Sequence, residues 1–183
     1  NFYNKINLVP FGEFLPIENI LRAFGLKVIT NNYQSFSKGK KRDIIEINRA
    51  GFSLKILPLI CYEIIYSGKI FKNSNFDLII NISEDGWFGK SIGPNQHFVH
   101  SIFRAVESGK YLLRSANNGI TAIINPLGIV EQKVELGKSG YIDFKDAKQI
   151  QPTVFSKYGN KIFIILIFLY IFVIFSFNKI KNE

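Results

Sequence analysis

The chain has 183 residues, which suits one domain of ordinary size with room for a substantial core. The formal net charge is +9, but the lysines are scattered among Asn, Ile and Phe and no nucleic-acid motif is present, so we do not expect nucleic-acid binding. A single cysteine excludes an internal disulfide framework, and with only two histidines it argues against a structural zinc site.

The first segments of the chain are rich in turn residues. Residues 1–16 are loop-like, because Pro and Gly punctuate an aromatic stretch, and residues 17–26 predict a short helix. The polar stretch 31–42 ends in the basic cluster 38–42. A solvated loop is the default for this cluster, and contact with anionic lipid headgroups is the alternative.

Alternating strands and a helix follow. The spacing of Phe98, Ile102, Ala105 and Val106 predicts a helix over 96–108 that stops at Gly109. This alternation indicates an α/β layer architecture. Apolar runs on both sides of the helix predict strands at 44–47, 52–60, 76–82, 111–113, 119–124 and 129–134.

An uncharged apolar run occupies residues 162–177, with lysines on both sides. As a helix it would be roughly 24 Å long, and snorkelling lysines with Tyr158 would extend it towards the bilayer core of about 30 Å. We predict a transmembrane helix; a buried core helix is disfavoured because apolar residues run all round with no polar stripe. The short basic tail predicts a cytoplasmic C-terminus, with the preceding domain on the opposite face.

The sole cysteine, Cys61, stands at the end of an apolar run. A strand that stops in a turn can present a thiol over the sheet edge as a nucleophile, although a lone cysteine here is more often core. A nucleophilic thiol needs a base or cation and a group that stabilises the oxyanion. The candidates are Lys5, Glu13 and Glu63, with backbone N–H groups just after Cys61, although solvated loop charges are the default for Lys5 and Glu13.

Four long motifs stand out. They are Lys5 with Leu-Val-Pro-Phe-Gly-Glu-Phe-Leu-Pro at 8–16, Ile-Cys-Tyr-Glu at 60–63, Asp-Gly-Trp-Phe-Gly-Lys-Ser-Ile-Gly-Pro at 85–94, and the segment 103–121. In this order they resemble the apolipoprotein N-acyltransferases, the membrane-bound branch of the nitrilase, or carbon–nitrogen hydrolase, superfamily. The resemblance extends over nearly the whole chain.

The resemblance implies a nitrilase-like α-β-β-α sandwich, incomplete at its N-terminus, over residues 1–156. A transmembrane helix with a short basic tail would follow over 157–183. The family has a Glu–Lys–Cys triad, in which Cys61 matches the nucleophile and Lys5 the lysine whose ammonium would stabilise the oxyanion. Glu13 matches a second active-site glutamate, which would orient Lys5.

Further positions follow the family pattern around the nucleophile. The Tyr62 N–H would donate into the oxyanion hole, and Glu63 completes the catalytic motif. Trp87 and Phe88 match a loop beside the acyl-binding region, with ordinary packing as the alternative.

The helix after that loop contributes supporting groups. We expect Arg104 and Glu107 to form a buried pair and His97 to hydrogen-bond within the fold.

The implied activity is transfer of a fatty acyl group from a phospholipid, through a Cys61 thioester, to the α-amine of the N-terminal diacylglyceryl-cysteine of apolipoproteins. The implied partners are the phospholipid donor, the lipoprotein acceptor and the membrane; no cofactor, metal or nucleic acid is implied. The implied location is the bacterial inner membrane, with the catalytic domain on the periplasmic face.

Some features depart from the family pattern. The sequence has no Met, so we expect it to be the C-terminal part of a longer protein. In the family the general-base glutamate lies upstream of the lysine motif, so we expect little activity from these residues alone. Glu84 stands where the family usually has Asn, and Asn95 where an aromatic residue is common.

Two alternatives stay open. One is a nitrilase- or amidase-type C–N hydrolase, against which the apolar tail argues. The other is a non-catalytic remnant of the acyltransferase, against which the intact Cys61, Lys5 and Glu13 argue.

Overall fold

The computed structural model describes residues 2–25, 35–68, 70 and 75–181, with side chains described up to 177 in the last helix. Parts of three predicted features therefore lie outside the described residues. These are the end of the 17–26 helix, the first positions of the 31–42 loop and the side chains of the basic tail.

A single sheet of six strands forms the centre of the fold, in the spatial order β1 to β6. The central strands β2, β3 and β4 are parallel to each other, while β1, β5 and β6 pair antiparallel at the two edges. The strands are β1 Ile45–Arg49, β2 Phe52–Ile60, β3 Leu78–Glu84, β4 Tyr111–Asn117, β5 Thr121–Ile124 and β6 Val130–Val134.

The six strands confirm the predicted pattern of apolar runs, with small shifts at their ends. The largest difference is β4, which continues to Asn117 although the apolar run stops at Leu113. Arg114 interrupts the hydrophobic pattern there, but it is buried and takes part in the ladder opposite Asn81. A buried, paired arginine cannot be distinguished from a solvated one by its sequence position.

Helix α2 (Gly93–Ser108) links β3 to β4 and covers one face of the sheet. Pro94 lies in its first turn, where the missing N–H costs no helical hydrogen bond. Gly109 ends the helix with a left-handed φ of +67° and donates its N–H to Ala105. The buried side of α2 packs on the larger core cluster, which includes Leu57, Leu59, Ile79, Phe98, Ala105 and Leu112.

A segment without regular structure covers part of the other face of the sheet. Ile142, Phe144 and Ala147 pack there against a smaller core cluster that includes Tyr111 and Ile123. The rings of Tyr111 and Phe144 lie 5.1 Å apart. Sequence periodicity gave no sign of this cover, because an irregular segment repeats no spacing of apolar residues.

Three further helices complete the described chain: α1 (Glu18–Ala23), α3 (Val154–Tyr158) and α4 (Lys161–Lys181). The apolar side chains of α4 are exposed all along its described part. Over the described residues, none of the helices reaches the combined length and apolarity needed to cross a membrane. The transmembrane helix over 162–177 stays a prediction.

Candidate active site

The parallel arrangement of β2, β3 and β4 brings three chain segments to one edge of the sheet. The segments are the turn after Ile60, the loop after Glu84 and the turn after Asn117. Carboxyl ends of parallel strands are the usual place for a binding site in α/β proteins. The predicted nucleophile and the predicted acyl-binding loop are therefore neighbours by topology.

Cys61 lies at the first position of a 3-10 turn, Cys61–Ile65, that follows β2 directly. Its φ is +50°, a left-handed conformation that costs energy for a residue with a Cβ. The thiol is partly exposed. A strained turn between a strand and a helix is a geometry that lifts a nucleophile above a sheet edge. The N–H of Tyr62 belongs to the first turn of this helix, where N–H groups have no partner within the helix.

Glu63 is fully buried and ties the turn of Cys61 to the N-terminal loop. Its carboxylate accepts hydrogen bonds from five groups, three of which belong to the N-terminal loop that also bears Lys5. The donors are the Tyr3 hydroxyl (3.0 Å), the N–H groups of Ile6 (3.0 Å), Asn7 (3.2 Å) and Ile60 (2.9 Å), and the Arg42 guanidinium (3.0 Å). Burial, with the neighbouring Glu63 charge, raises the pKa of Tyr3, so this hydroxyl stays a donor.

Lys5 and Glu13 form an ion pair, with 2.6 and 2.7 Å between the ammonium and the two carboxylate oxygens. The N–H of Val9 also donates to Glu13, at 2.9 Å. Glu13 is thus held by the backbone of its own loop and in turn directs the Lys5 ammonium. The orienting role of Glu13 in catalysis stays a prediction.

A cavity of about 580 Å³ opens beside the thiol. Its described lining is mostly apolar and aromatic, with few polar groups. Five of the predicted site residues line it together; Lys5 is connected to it through Glu13, and Glu63 lies beneath it rather than in its wall. The five are Cys61, Tyr62, Glu13, Trp87 and Phe88.

The loop after β3 presents Trp87 and Phe88 on a short 3-10 turn, Gly86–Phe88. Trp87 is 65% exposed and Phe88 40% exposed. A Cβ on Gly93 would lie 2.5 Å from the Phe88 ring, so glycine is needed at that position. Large exposed aromatic faces beside an apolar cavity suit a hydrocarbon ligand.

A buried polar cluster supports this loop from below, and the sequence did not reveal it. Asp85 bonds to the Arg114 guanidinium at 2.7 Å and to Nδ1 of His97 at 2.8 Å. Arg114 also donates to Asn81, whose side-chain amide donates to the carbonyl of Leu59 at 3.0 Å. The cluster thus links the Trp87 loop to the strand that ends at Cys61.

The protonation of this cluster follows from its contacts. Burial raises the pKa of Asp85, but the hydrogen bond from His97 and the charge of Arg114 outweigh it and leave the pKa below its ordinary value. An ionised carboxylate only accepts hydrogen bonds, so we assign the proton of His97 to Nδ1. The expected hydrogen bond of His97 within the fold is confirmed, with Asp85 as its partner.

Two further expectations concern charged side chains near the site. The buried pair is confirmed, with 2.8 Å between Arg104 Nε and Glu107 Oε2, and Glu107 also accepts the N–H of Gly68 at 2.6 Å. Arg42, at the end of the basic cluster 38–42, is not solvated but pairs with Glu63. Arg42 lies against Glu63, unlike a solvated loop residue, because a buried carboxylate requires a cation or several hydrogen-bond donors.

Residues 1–144 match the carbon-nitrogen hydrolase family. The chain belongs to this family. Within this family the chain resembles a particular group of relatives. It is 42% identical to the apolipoprotein N-acyltransferase of Rickettsia prowazekii, over 99% of this chain and 36% of that protein. It is 44% identical to the apolipoprotein N-acyltransferase of Rickettsia bellii, over 99% of this chain and 35% of that protein.

The chain therefore spans about a third of the length of these curated relatives. Among solved structures, the NitN amidase from Nesterenkonia sp. AN1 aligns with a TM-score of 0.45 and 16% identity. That alignment covers 73% of this chain and 47% of the amidase. The family match and the identity to the curated relatives show the resemblance to the apolipoprotein N-acyltransferases.

Proposed function

We propose that this carbon-nitrogen hydrolase carries the catalytic centre of an N-acyltransferase. It would move a fatty acyl group from a phospholipid, through a Cys61 thioester, to the α-amine of the N-terminal diacylglyceryl-cysteine of apolipoproteins. The observation that carries the proposal is a large apolar cavity lined by both Cys61 and Glu13, with Lys5 paired to Glu13. The names of the relatives support the same activity.

In the first half-reaction the thiolate of Cys61 attacks the ester carbonyl of the phospholipid. A C–S bond forms, and the carbonyl oxygen becomes an oxyanion that the Lys5 ammonium and the Tyr62 N–H stabilise. When the oxyanion collapses, the C–O bond to the glycerol breaks, and the glycerol oxygen takes from solvent a proton equivalent to the one that the Cys61 thiol lost on becoming a thiolate, so the lysophospholipid leaves as an alcohol. The apolar cavity binds the acyl chain, which stays on Cys61 as a thioester.

In the second half-reaction the α-amine of the acceptor attacks the thioester carbonyl. After the C–N bond forms, the nitrogen loses a proton to solvent. The same two donors stabilise the second oxyanion, and its collapse breaks the C–S bond and regenerates the Cys61 thiolate as the amide forms. Trp87 and Phe88 cover the acyl chain in both steps. Glu63 acts through the Cys61 turn and the N-terminal loop, because it is buried beneath both and bonds to both.

The domain division and the membrane location belong to the same proposal. Residues 1–156 would form the catalytic part, and 157–183 would be a membrane helix with a cytoplasmic tail in the bacterial inner membrane. The exposed apolar side chains of α4 support contact with lipid, since water would not favour them. The catalytic part would then lie on the periplasmic face.

Mass spectrometry of Cys61 tests the proposal. The chain, and the chain with any upstream coding sequence, are incubated with a phospholipid and a diacylglyceryl peptide. In the chain with its upstream coding sequence we expect a mass increase of one acyl group on Cys61, lost when the peptide is added, with the acyl group recovered on the peptide amine; the chain alone should show little acylation. Cys61→Ala is the matched control and should carry no acyl group.

The alternatives give different results in the same experiment. Acylation that persists in Cys61→Ala would remove Cys61 as the nucleophile. Hydrolysis of small amides without acyl transfer would favour a nitrilase-type C–N hydrolase. The absence of any thioester in both forms of the chain would favour a non-catalytic remnant.

A further inference from the structure

Glu84 is the last residue of β3 and lines the cavity of Cys61. Three neutral groups hold its carboxylate in place: the N–H of Gly86 at 2.7 Å, the side-chain amide of Asn117 at 2.5 Å and that of Asn118 at 3.4 Å. A Cβ on Gly86 would lie 2.5 Å from a Glu84 oxygen, so the close approach depends on glycine. The position of this carboxylate is therefore well defined.

Hydrogen bonds from neutral groups fix the position of the Glu84 carboxylate but do not neutralise its negative charge. The hydrogen bond from Gly86, with that from Asn117, lowers its pKa, so the group is ionised at neutral pH. Neither donor carries a charge, and a carboxylate has roughly four acceptor positions, of which three donors leave one open. Among the described residues, Glu84 forms no ion pair.

The rest of the cavity makes this charge unusual. Glu13, the other carboxylate in the described lining, is paired with Lys5. No Lys or Arg belongs to the described lining. The cavity therefore offers a ligand one uncompensated anion at the edge of an apolar space. The Glu84 side chain is itself partly exposed, so solvent weakens its attraction for a free cation, and the apolar lining beside it favours a cation that carries a hydrocarbon chain.

We propose that Glu84 is a specificity-determining residue, which binds the primary ammonium group of a substrate whose acyl chain occupies the cavity. The inference rests on the proposed acyl transfer for the identity of that substrate. Trp87 lies in the same lining and offers an aromatic face, which is a second favourable contact for a cation.

Two substrates of the proposed reaction can carry this group. One is a phospholipid donor with an ethanolamine headgroup, and the other is the acceptor peptide, whose α-amine is partly protonated near neutral pH. In both cases the ammonium lies at one end of a hydrocarbon-bearing molecule, as the arrangement of Glu84 and the apolar lining requires. The shared chemistry is a primary ammonium beside an acyl chain.

A binding measurement tests the inference without requiring activity. Trp87 is the only tryptophan of the chain, so its fluorescence reports ligand binding in the cavity. The probes are hexylammonium and 1-hexanol, which share a chain and differ in charge. We expect the chain in neutral detergent to bind hexylammonium more tightly. Glu84→Gln should reduce that preference by about 3- to 10-fold and leave the affinity for hexanol unchanged.

Two matched variants define the outcome. Glu84→Asp keeps the charge and should keep part of the preference, whereas Glu135→Gln removes an exposed carboxylate outside the described lining and should change nothing. Equal affinity of the unsubstituted chain for the two probes would overturn the inference even if no variant folded. A preference that survives Glu84→Gln would overturn it as well.

Acyl-transfer assays then distinguish the two sources. The donor arm compares thioester formation from vesicles with ethanolamine and with glycerol headgroups, and the acceptor arm follows aminolysis of the thioester. If Glu84→Gln weakens only discrimination between headgroups, the donor supplies the ammonium; if it slows only aminolysis, the acceptor does. No effect in either arm would contradict a role in specificity. Failure of the chain with its upstream coding sequence to form any thioester contradicts the proposed acyl transfer and leaves the probe result to decide on Glu84.

Discussion

Arg42 and Glu63 form an ion pair, with 3.0 Å between the guanidinium Nη2 and the carboxylate Oε1. Glu63 follows the nucleophile by two positions, and Arg42 precedes β1. The pair therefore joins the segment before the sheet to the turn that bears the thiol. Because the Glu63 carboxylate has no exposure and the Arg42 side chain only 16%, each charge depends on the other.

Replacing Glu63 by Gln should destabilise the fold strongly. The amide leaves the Arg42 charge without its partner, and its NH₂ group faces N–H donors that had bonded to a carboxylate. Removal of one partner of a buried pair costs about 3–5 kcal/mol, a large part of a typical stability. Urea unfolding followed by Trp87 fluorescence should show a clearly lower midpoint. Glu135→Gln, which breaks an exposed pair with Lys133, should shift it little; equal midpoints for the two variants would contradict the role of Glu63.

Replacing Lys5 by Met should slow thioester formation without unfolding the protein. Loss of one oxyanion-stabilising group reduces the rate by about 10²–10³-fold. Glu13→Gln keeps the ammonium but weakens its orientation, so its effect should be smaller. The measurement is the rate of acylation of Cys61 by mass spectrometry, with Lys133→Met as the exposed control. A rate in Lys5→Met close to that of the control would remove Lys5 from the reaction.

The strands and α2 could be predicted from sequence because they repeat a spacing of apolar residues. Apolar runs gave β2 within its observed bounds, and the apolar spacing placed Phe98 and Ala105 correctly on the buried face of α2, whereas Val106 of the same pattern is exposed. The motif resemblance in turn gave the candidate site residues that line the cavity. These features depend on local pattern or on whole motifs, so they can be read without knowing the tertiary contacts.

The polar contacts could not be predicted in the same way. Asp85 and Arg114 are 29 positions apart, and nothing local indicates that the sheet register brings them together. The hydrogen bonds of Glu63 to the N-terminal loop span up to 60 positions. Burial of a charged residue is decided by such distant partners, so sequence alone favours a solvated side chain.

Replacing Asp85 by Asn should reduce stability in a pH-dependent manner. The pKa of Asp85 is lowered in the folded protein, so its contribution is fully present above the unfolded value of about 3.9 and is lost as the pH falls towards the folded pKa. The stability difference between the unsubstituted chain and Asp85→Asn should be large at pH 7 and shrink below about pH 4. Urea unfolding across this pH range measures it, with the exposed Asp143→Asn as the control. A difference that stays constant with pH would contradict the ionised carboxylate.

Replacing Gly119 by Ala should disturb the same buried cluster through contact alone. A Cβ there would lie 2.2 Å from an Asp85 carboxylate oxygen, which cannot move away without breaking its bonds to Arg114 and His97. We expect a loss of about 1–3 kcal/mol in the free energy of unfolding, typical of overpacking. Gly140→Ala is the control, because its Cβ would meet only a Val134 methyl at 3.2 Å. Equal unfolding free energies for the two variants would show that the buried cluster accommodates the extra methyl group at little cost, which contradicts this prediction.

The proposed membrane contact of α4 predicts the effect of charges on its surface. Phe168 and Phe172 are one helical turn apart and are 67% and 68% exposed, so lysines at both positions would place two charges in lipid. Each costs about 2.5–3.5 kcal/mol near the centre of a membrane helix. The unsubstituted chain should stay with lipid vesicles after alkaline extraction, and the double variant should be released.

The matched control for α4 places the same charges elsewhere. Leu127 and Tyr141 are also exposed but lie outside α4, so the double variant Leu127→Lys and Tyr141→Lys should remain with the vesicles. Release of both double variants would attribute the binding to the general surface charge rather than to α4. Retention of Phe168→Lys with Phe172→Lys would mean that these aromatic side chains do not enter the bilayer, and the membrane part of the proposal would fail.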